Sequence, residues 1–159
     1  MFISKKKIEE IIGRKENSFF HQKNFDFSNK TILILGAAGT IASEFIKKLQ
    51  HLNFKELVLV DKNENDLTKL ARSINLKKRK KCIFLCMDIN NVYSSFYDRL
   101  KNKDLVLLNF SALKHVRSEI YDESFINMFN TNCLSPFKIF CRLNTIAKID
   151  IFFSISTDK

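Results

Sequence analysis

The chain has 159 residues, enough for one domain with a real core, with 45% apolar residues, 28% charged residues and a formal charge of +10. No apolar run reaches the roughly 18 residues of a membrane span. The start, Met1-Phe2-Ile3-Ser4 before Lys5-Lys6-Lys7, lacks the apolar core of a signal peptide, so the expected setting is the cytoplasm with no membrane span. The four cysteines, Cys82, Cys86, Cys133 and Cys141, show neither Cys-x-x-Cys spacing nor paired histidines, which points to reduced thiols and no metal site.

Residues 1–30 read as an N-terminal extension with a short helix. Ile8, Ile11 and Ile12 share one helical face, and Gly13 can end that helix. The aromatic stretch Phe19–Phe27 is expected to dock on the main body, which spans residues 31–159. There, apolar strands alternate with amphipathic helices. Strands are predicted over 31–35, 57–60, 82–86, 105–108 and 151–155. Helices are predicted over 41–51, 64–75 and 92–100, with a long helical region over 122–147 in which Pro136 either begins a new helix or kinks the existing one. Ile-, Leu- and Val-rich strands alternating with helices imply a parallel sheet covered on both faces. Right-handed crossovers then give an α/β, Rossmann-like doubly wound sheet of strand order 3-2-1-4-5.

The densest charge run, Lys77-Lys78-Arg79-Lys80-Lys81, falls between a helix and a strand and reads as a solvated loop. No helix-turn-helix, zinc-finger or RNA-binding pattern accompanies it, so nucleic acid is not the expected partner.

Two of the three glycines, Gly36 and Gly39, follow the first strand directly. Gly36-Ala37-Ala38-Gly39-Thr40-Ile41-Ala42 has the Gly-x-x-Gly-x-x-Ala form of a dinucleotide turn, in which glycine lets the backbone approach a pyrophosphate at a helix N-terminus. Ala42 stands where a small side chain allows close helix–strand packing. Asp61 ends the second strand, where a carboxylate binds ribose hydroxyls or, alternatively, caps the next turn. An acid there favours NAD over NADP by repelling a 2′-phosphate, and the adjacent Lys62 softens that preference. Asp88-Ile89, at the end of the third strand, is either an adenine contact or a helix N-cap. Ser111-Ala112-Leu113-Lys114-His115 lies beyond the fourth strand, where Lys114 can meet a phosphate or hydroxyl and His115 is either a ligand or a structural hydrogen-bonding residue. The final Thr157-Asp158-Lys159 is either a proton-transfer cluster or a polar tail.

These segments together resemble the CapD-like polysaccharide-biosynthesis proteins, which are nucleotide-sugar 4,6-dehydratases and epimerases of the extended short-chain dehydrogenase/reductase superfamily. The resemblance rests on Ile8–Arg14, Ile32–Ser43, Leu57–Glu64, Ala112–Val116, Thr131-Asn132 and Ile155–Lys159. It implies a bound NAD, with Gly36, Ala38, Gly39, Thr40, Ile41, Asp61, Lys62, Asn63, Asp88, Ile89, Ser111, Ala112, Lys114 and Asn132 as cofactor-binding residues. In such enzymes NAD takes a hydride from C4 of a UDP-linked N-acetylglucosamine, water is eliminated across C5 and C6, and the hydride returns to C6. The resemblance makes Asp158 the acid on the C6 hydroxyl, Lys159 the base at C5 and Thr157 the hydrogen-bond donor near the C4 oxygen.

Departures from the family pattern qualify this. Asn109-Phe110-Ser111 replaces His-Ala-Ala, which puts the bulk of Phe110 against the cofactor. Arg117 replaces a proline, and Asn132-Cys133-Leu134-Ser135-Pro136 replaces Asn-x-x-Gly-Thr. The family's downstream lysine-bearing helix and sugar-binding region have no counterpart before Lys159, so the expectation is a truncated member that binds NAD. A UDP-sugar would bind only if the missing half is supplied. A non-catalytic binding or scaffold module, or a decayed gene product, is the alternative. The sheet left uncovered beside the fifth strand predicts a homodimer, or else shielding by Phe19–Phe27.

Overall fold

The computed structural model describes residues 25–113 and 121–155. Its centre is strand β1, Thr31–Leu35, in which all five residues are buried. Such a run has apolar side chains on both faces, so it is stable only where both faces are covered. Beside it lie β2 (Glu56–Asp61), β3 (Cys82–Cys86), β4 (Asp104–Asn109) and β5 (Lys148–Ser154). All pairings are parallel and the order is β3-β2-β1-β4-β5, as the sequence implied. The register sets Leu33 between Val58 and Leu107.

Alternation along the strands divides the core in two. On one face Ile32, Ile34, Leu57, Leu59, Val106 and Leu108 meet Ala42, Ile46 and Leu49 of helix α1 (Thr40–Leu49) and Leu67 and Leu70 of α2 (Glu64–Ser73). The spacing of those helix residues makes one apolar stripe. On the other face Leu33, Leu35, Val58, Val60, Leu105 and Leu107 meet Phe96 and Leu100 of a helix at Ser94–Leu100 and Ile139 and Leu143 of one at Ser135–Asn144.

Between α2 and β3 the predicted solvated loop is instead a short helix, α3 (Leu76–Arg79), capped by the Asn75 side chain on Lys77 N–H. Three cations of the basic run fold back onto the protein. Lys78 donates to Leu52 O at 2.7 Å and lies over the buried Phe54 ring, Lys81 donates to Phe54 O at 3.1 Å, and Arg79 donates to Ala71 O at 3.4 Å. The helix at Ser94–Leu100 is α4. The long helical region is broken into α5 (Asp122–Phe129), a π turn (Asn130–Leu134) and α6 (Ser135–Asn144), with Pro136 in the first turn of α6. Proline fits there because first-turn N–H groups have no intrahelical partner.

Strand β5 starts three residues before its predicted position, and a bulge at Asp150 explains why. Ile149 packs on one core and Ile151 on the other, while Asp150 turns to the Lys30 ammonium at 2.6 Å. Lys30 also approaches Asp104 at 3.5 Å, and Lys103 pairs with Glu56, so ion pairs tie the N-terminal ends of the strands together. The opposite ends are left open. Phe152 and Phe153 of β5 are 40% and 47% exposed, in keeping with an incompletely covered edge. Phe27 packs against the α1–α2 core and meets the Phe25 ring edge-on at 4.9 Å, while the expected N-terminal helix and the aromatic segment before Phe25 lie outside the described residues. Among the described residues no helix is long and apolar enough to cross a membrane.

Candidate functional site

The chain leaves β1 toward β2 through α1 on one face, whereas β4 is reached from the other face. A crevice therefore opens between the carboxyl ends of β1 and β4, which is where doubly wound sheets bind ligands. Gly36 forms its floor. With φ at +71° it takes the left-handed conformation. A Cβ there would stand 2.6 Å from Ser111 N and 2.9 Å from Phe110 C, so the β1 turn and the β4 exit pack backbone against backbone.

The turn is held by main-chain and carboxylate bonds. Ala37 N–H donates to Val60 O at 3.0 Å, Ala38 N–H to Asp61 Oδ2 at 2.9 Å, and Gly39 N–H to Gly36 O at 3.2 Å. Helix α1 then begins with Gly39 as N-cap and no side chain capping it. The N–H groups of Thr40, Ile41 and Ala42 have no intrahelical acceptor and carry the positive end of the helix dipole. Gly39 itself has an ordinary φ of −64°, and a Cβ on it would meet only Gly36 O at 3.3 Å. Its lack of a side chain leaves the helix N-terminus open rather than serving the turn.

Of the two roles read for Asp61, its bonds show the turn cap, and they add a hold on the glycine turn. Its Oδ2 holds the glycine turn, and its Oδ1 accepts Asn63 N–H at 2.9 Å at the start of α2. Asn63 is the α2 N-cap, its side chain accepting Asp66 N–H at 3.1 Å. Asp88 lies two residues past the end of β3. It is not a helix N-cap, because its Oδ1 accepts Asn90 N–H at 2.9 Å while α4 starts at Ser94 behind Tyr93.

The cleft is lined by Gly36, Gly39, Asp61, Lys62, Met87, Asp88, Ile89, Phe110, Ser111, Ala112, Leu113 and Thr131. Eight of the residues expected at a ligand are thus brought together: Gly36, Gly39, Asp61, Lys62, Asp88, Ile89, Ser111 and Ala112. Ala38, Thr40, Ile41, Asn63 and Asn132 are not on its wall. Ala38 and Thr40–Ile41 flank it as turn and helix start. The Asn132 amide is committed to the main chain of Leu113, accepting its N–H at 2.7 Å and donating to its oxygen at 3.0 Å. Lys114, His115, Thr157, Asp158 and Lys159 lie outside the described residues.

Phe110 does line the cleft, yet its ring is packed between Phe45 and Phe153, tilted against both, with centroids 5.5 Å and 5.7 Å away. Buried Asn109 anchors this exit from β4. It accepts from Ser111 N–H at 3.1 Å and from the Ser111 hydroxyl, and donates to Ser154 Oγ at 2.9 Å. Ile155 N–H in turn donates to Asn109 O at 2.9 Å, which continues the β4–β5 pairing past Ser154.

Of the cleft residues, Met87 is not singled out by the sequence, although it follows a strand end as Asp88 does; Leu113 and Thr131 stand out only as members of the Ser111–His115 and Thr131-Asn132 stretches, with no ligand role of their own. The cysteines are unpaired, and burial pushes the Cys82 thiol up to about 11, which keeps it protonated at the edge of the core. Among the described residues no group of three or more His, Cys, Asp or Glu side chains is placed to hold a metal.

The chain matches the family model described as "Polysaccharide biosynthesis protein" over residues 32–159. It is 30% identical over 136 residues to an uncharacterized membrane protein of Methanocaldococcus jannaschii, covering 84% of this chain and 38% of that protein. It is 28% identical over 116 residues to the probable polysaccharide biosynthesis protein EpsC of Bacillus subtilis, covering 69% of this chain and 19% of EpsC. The chain therefore spans less than two-fifths of the length of these relatives. Among solved structures, a UDP-glucuronic acid 4-epimerase from Bacillus cereus, in complex with NAD and UDP-4-deoxy-4-fluoro-glucuronic acid, superposes with a TM-score of 0.63. It is 25% identical and covers 80% of this chain and 40% of the epimerase.

Proposed function

Because this chain belongs to the polysaccharide biosynthesis protein family, we propose that its cleft binds a nicotinamide dinucleotide, NAD in preference to NADP. In this reading it is the cofactor domain of a nucleotide-sugar 4,6-dehydratase or epimerase. The observation that carries the reading is the pairing of an open, uncapped α1 N-terminus at Gly39 with the Asp61 carboxylate across the same cleft. The residues fit such a cofactor. Gly36 and Gly39 keep side chains out of the cradle, and the free N–H groups of Thr40–Ala42 suit a pyrophosphate. Asp61 retains acceptor capacity for ribose hydroxyls and would repel a 2′-phosphate, while Lys62 tempers that repulsion. Met87, Asp88 and Ile89 suit the adenine, and Ser111, Ala112 and Lys114 the nicotinamide side. When bound, the nicotinamide ring accepts and returns a hydride.

The proton chemistry is assigned to the end of the chain by family likeness alone. Asp158 would donate a proton to the departing C6 hydroxyl, Lys159 would take the C5 proton, and Thr157 would hold the C4 oxygen. Lys159 serves as a base only where burial or neighbouring charge lowers its pKa. A UDP-sugar is proposed as substrate when further sequence or a partner chain supplies the surface that holds it. A homodimer and a cytoplasmic, reducing location belong to the same proposal, supported by the exposed Phe152–Phe153 edge and the unpaired cysteines.

The test is calorimetric titration of the purified chain with NAD and with NADP. Saturable binding of NAD that is tighter than that of NADP supports the proposal. A folded chain that binds neither overturns it in favour of a scaffold role. Incubation with NAD and UDP-N-acetylglucosamine, followed for a 4-keto-6-deoxy product, then tests the sugar chemistry.

A further inference from the structure

The two side walls of the cleft come from loops far apart in sequence, and both are tied to one short segment. The wall after β3 carries Asp88 and Ile89, and the wall after β4 carries Ala112 and Leu113. Asn90 donates from Nδ2 to Thr131 Oγ1 at 2.9 Å and accepts at Oδ1 from Ser135 Oγ at 2.6 Å. Both hydroxyl residues are only 8% exposed. The next residue, Asn132, clasps the main chain of Leu113 with both ends of its amide. Thr131 and Asn132 are neighbours inside the π turn, a wider turn than the α-helix and one that recurs at functional sites.

We propose that the π turn Asn130–Leu134 is a bracket that sets the width of the cleft, with Asn90 as its positioning residue on the β3 side. The proposal rests on the dinucleotide reading for its consequence, ligand affinity, but not for the bracket itself. Consecutive residues of one helical turn grip opposite walls, so a displacement of one wall is passed to the other through the π turn. Asn90 also fixes Asp88, whose carboxylate accepts the Asn90 N–H. Removal of the Asn90 amide leaves the buried Thr131 and Ser135 hydroxyls without their partner, so the strain falls on the π turn as well as on the β3 loop.

The test is residue-resolved amide hydrogen exchange of the full chain without nucleotide, as the unmodified protein and as Asn90→Ala, Asn90→Asp and Ser135→Ala. Asn90→Ala is expected to speed exchange of the Leu113 amide, on the opposite wall, by about tenfold. Ser135→Ala, which removes one tie only, is expected to give a smaller rise in the same amide, and it serves as the readout should Asn90→Ala fail to fold. Asn90→Asp keeps the acceptor for the Ser135 hydroxyl and, once the Thr131 hydroxyl turns to donate, gains one for it, so it is expected to restore protection. Faster exchange confined to residues 87–91, with Leu113 unchanged, overturns the bracket. With NAD added, the Kd of Asn90→Ala is expected to rise about tenfold, as for loss of an outer-shell support. An unchanged Kd overturns the claim that the bracket sets the cleft. Absence of NAD binding by every form overturns the dinucleotide reading instead, and the exchange data then decide the bracket.

Discussion

Asp61 accepts the Ala38 N–H through Oδ2 at 2.9 Å, so the carboxylate that faces the cleft also holds the glycine turn in place. The β2 end and the β1 turn thus move as one unit. Replacement by alanine removes the acceptor for both Ala38 and Asn63 N–H groups. Asp61→Ala is expected to cost about 1–3 kcal/mol in urea unfolding. It is also expected to narrow the preference for NAD over NADP by about tenfold, through loss of the repelling charge. Parallel titrations with the two nucleotides measure the second effect, and an unaltered ratio would show that Asp61 is only a turn-holding residue.

The two glycines of the turn should separate cleanly. Gly36→Ala places a Cβ 2.6 Å from Ser111 N at a positive φ, so about 3 kcal/mol or more of stability is expected to be lost. Gly39→Ala sits at an ordinary φ with one contact at 3.3 Å, so its cost is expected to stay near about 1 kcal/mol. The same methyl stands over the α1 N-terminus, and NAD affinity is expected to fall by about tenfold or more. A Gly39→Ala protein that is stable and binds NAD normally would remove the phosphate-cradle assignment.

Phe110 tests how the bulk beside the cleft is accommodated. Its ring is packed between Phe45 and Phe153, so Phe110→Ala is expected to destabilise by about 2 kcal/mol through lost apolar contact. NAD affinity is expected to stay within about threefold of the unmodified protein. A marked gain in affinity would mean that the ring obstructs the cofactor.

The basic run offers an internal contrast. Lys78 bonds to Leu52 O and covers Phe54, so Lys78→Ala is expected to cost about 1 kcal/mol. Lys80, exposed, is expected to stay within about 0.5 kcal/mol on the same change. Equal effects in thermal melts would restore the view of the run as a uniformly solvated stretch.

The Lys30–Asp150 pair at the other end of the sheet should shape the pH profile of stability. The hydrogen bond from Lys30 holds the Asp150 carboxyl below its ordinary value, and the same bond raises the Lys30 ammonium above its own. A depressed carboxyl contributes stability that is present above the unfolded value of about 4 and is lost as pH falls through the lower folded value. A raised ammonium contributes stability that is complete below about 10.4 and is lost as pH rises through the higher folded value. Melting temperatures of Asp150→Asn between pH 2 and 7 are expected to fall less steeply at the acid end. An acid limb identical to that of the unmodified protein would show that other carboxylates dominate it.

Much of the fold could be read along the chain. Apolar runs such as Thr31–Leu35 and Leu105–Leu108 reveal strands buried on both faces, and the handedness of crossovers limits their order. Gly36, Gly39 and Asp61 stood out because their chemistry is local, a turn and a strand end. The start of β5 was less legible, since the apolar alternation breaks at Asp150 and only its pairing with Lys30 explains the bulge. The π turn likewise has no local code, as its residues read as ordinary helix.

The sequence by itself therefore determined the strand–helix alternation, the strand order and the place of the glycine turn, because periodicity and backbone freedom act over a few residues. Tertiary structure alone decided that Lys78 and Lys81 fold back on Phe54, that Asn90 meets Thr131 and Ser135, and that Asn132 clasps Leu113. A half-buried amide, or an ammonium lying against the surface, bonds to whatever polar group the fold sets beside it, and its own residue type does not say which one. The topology chooses by bringing particular loops to the same end of the sheet.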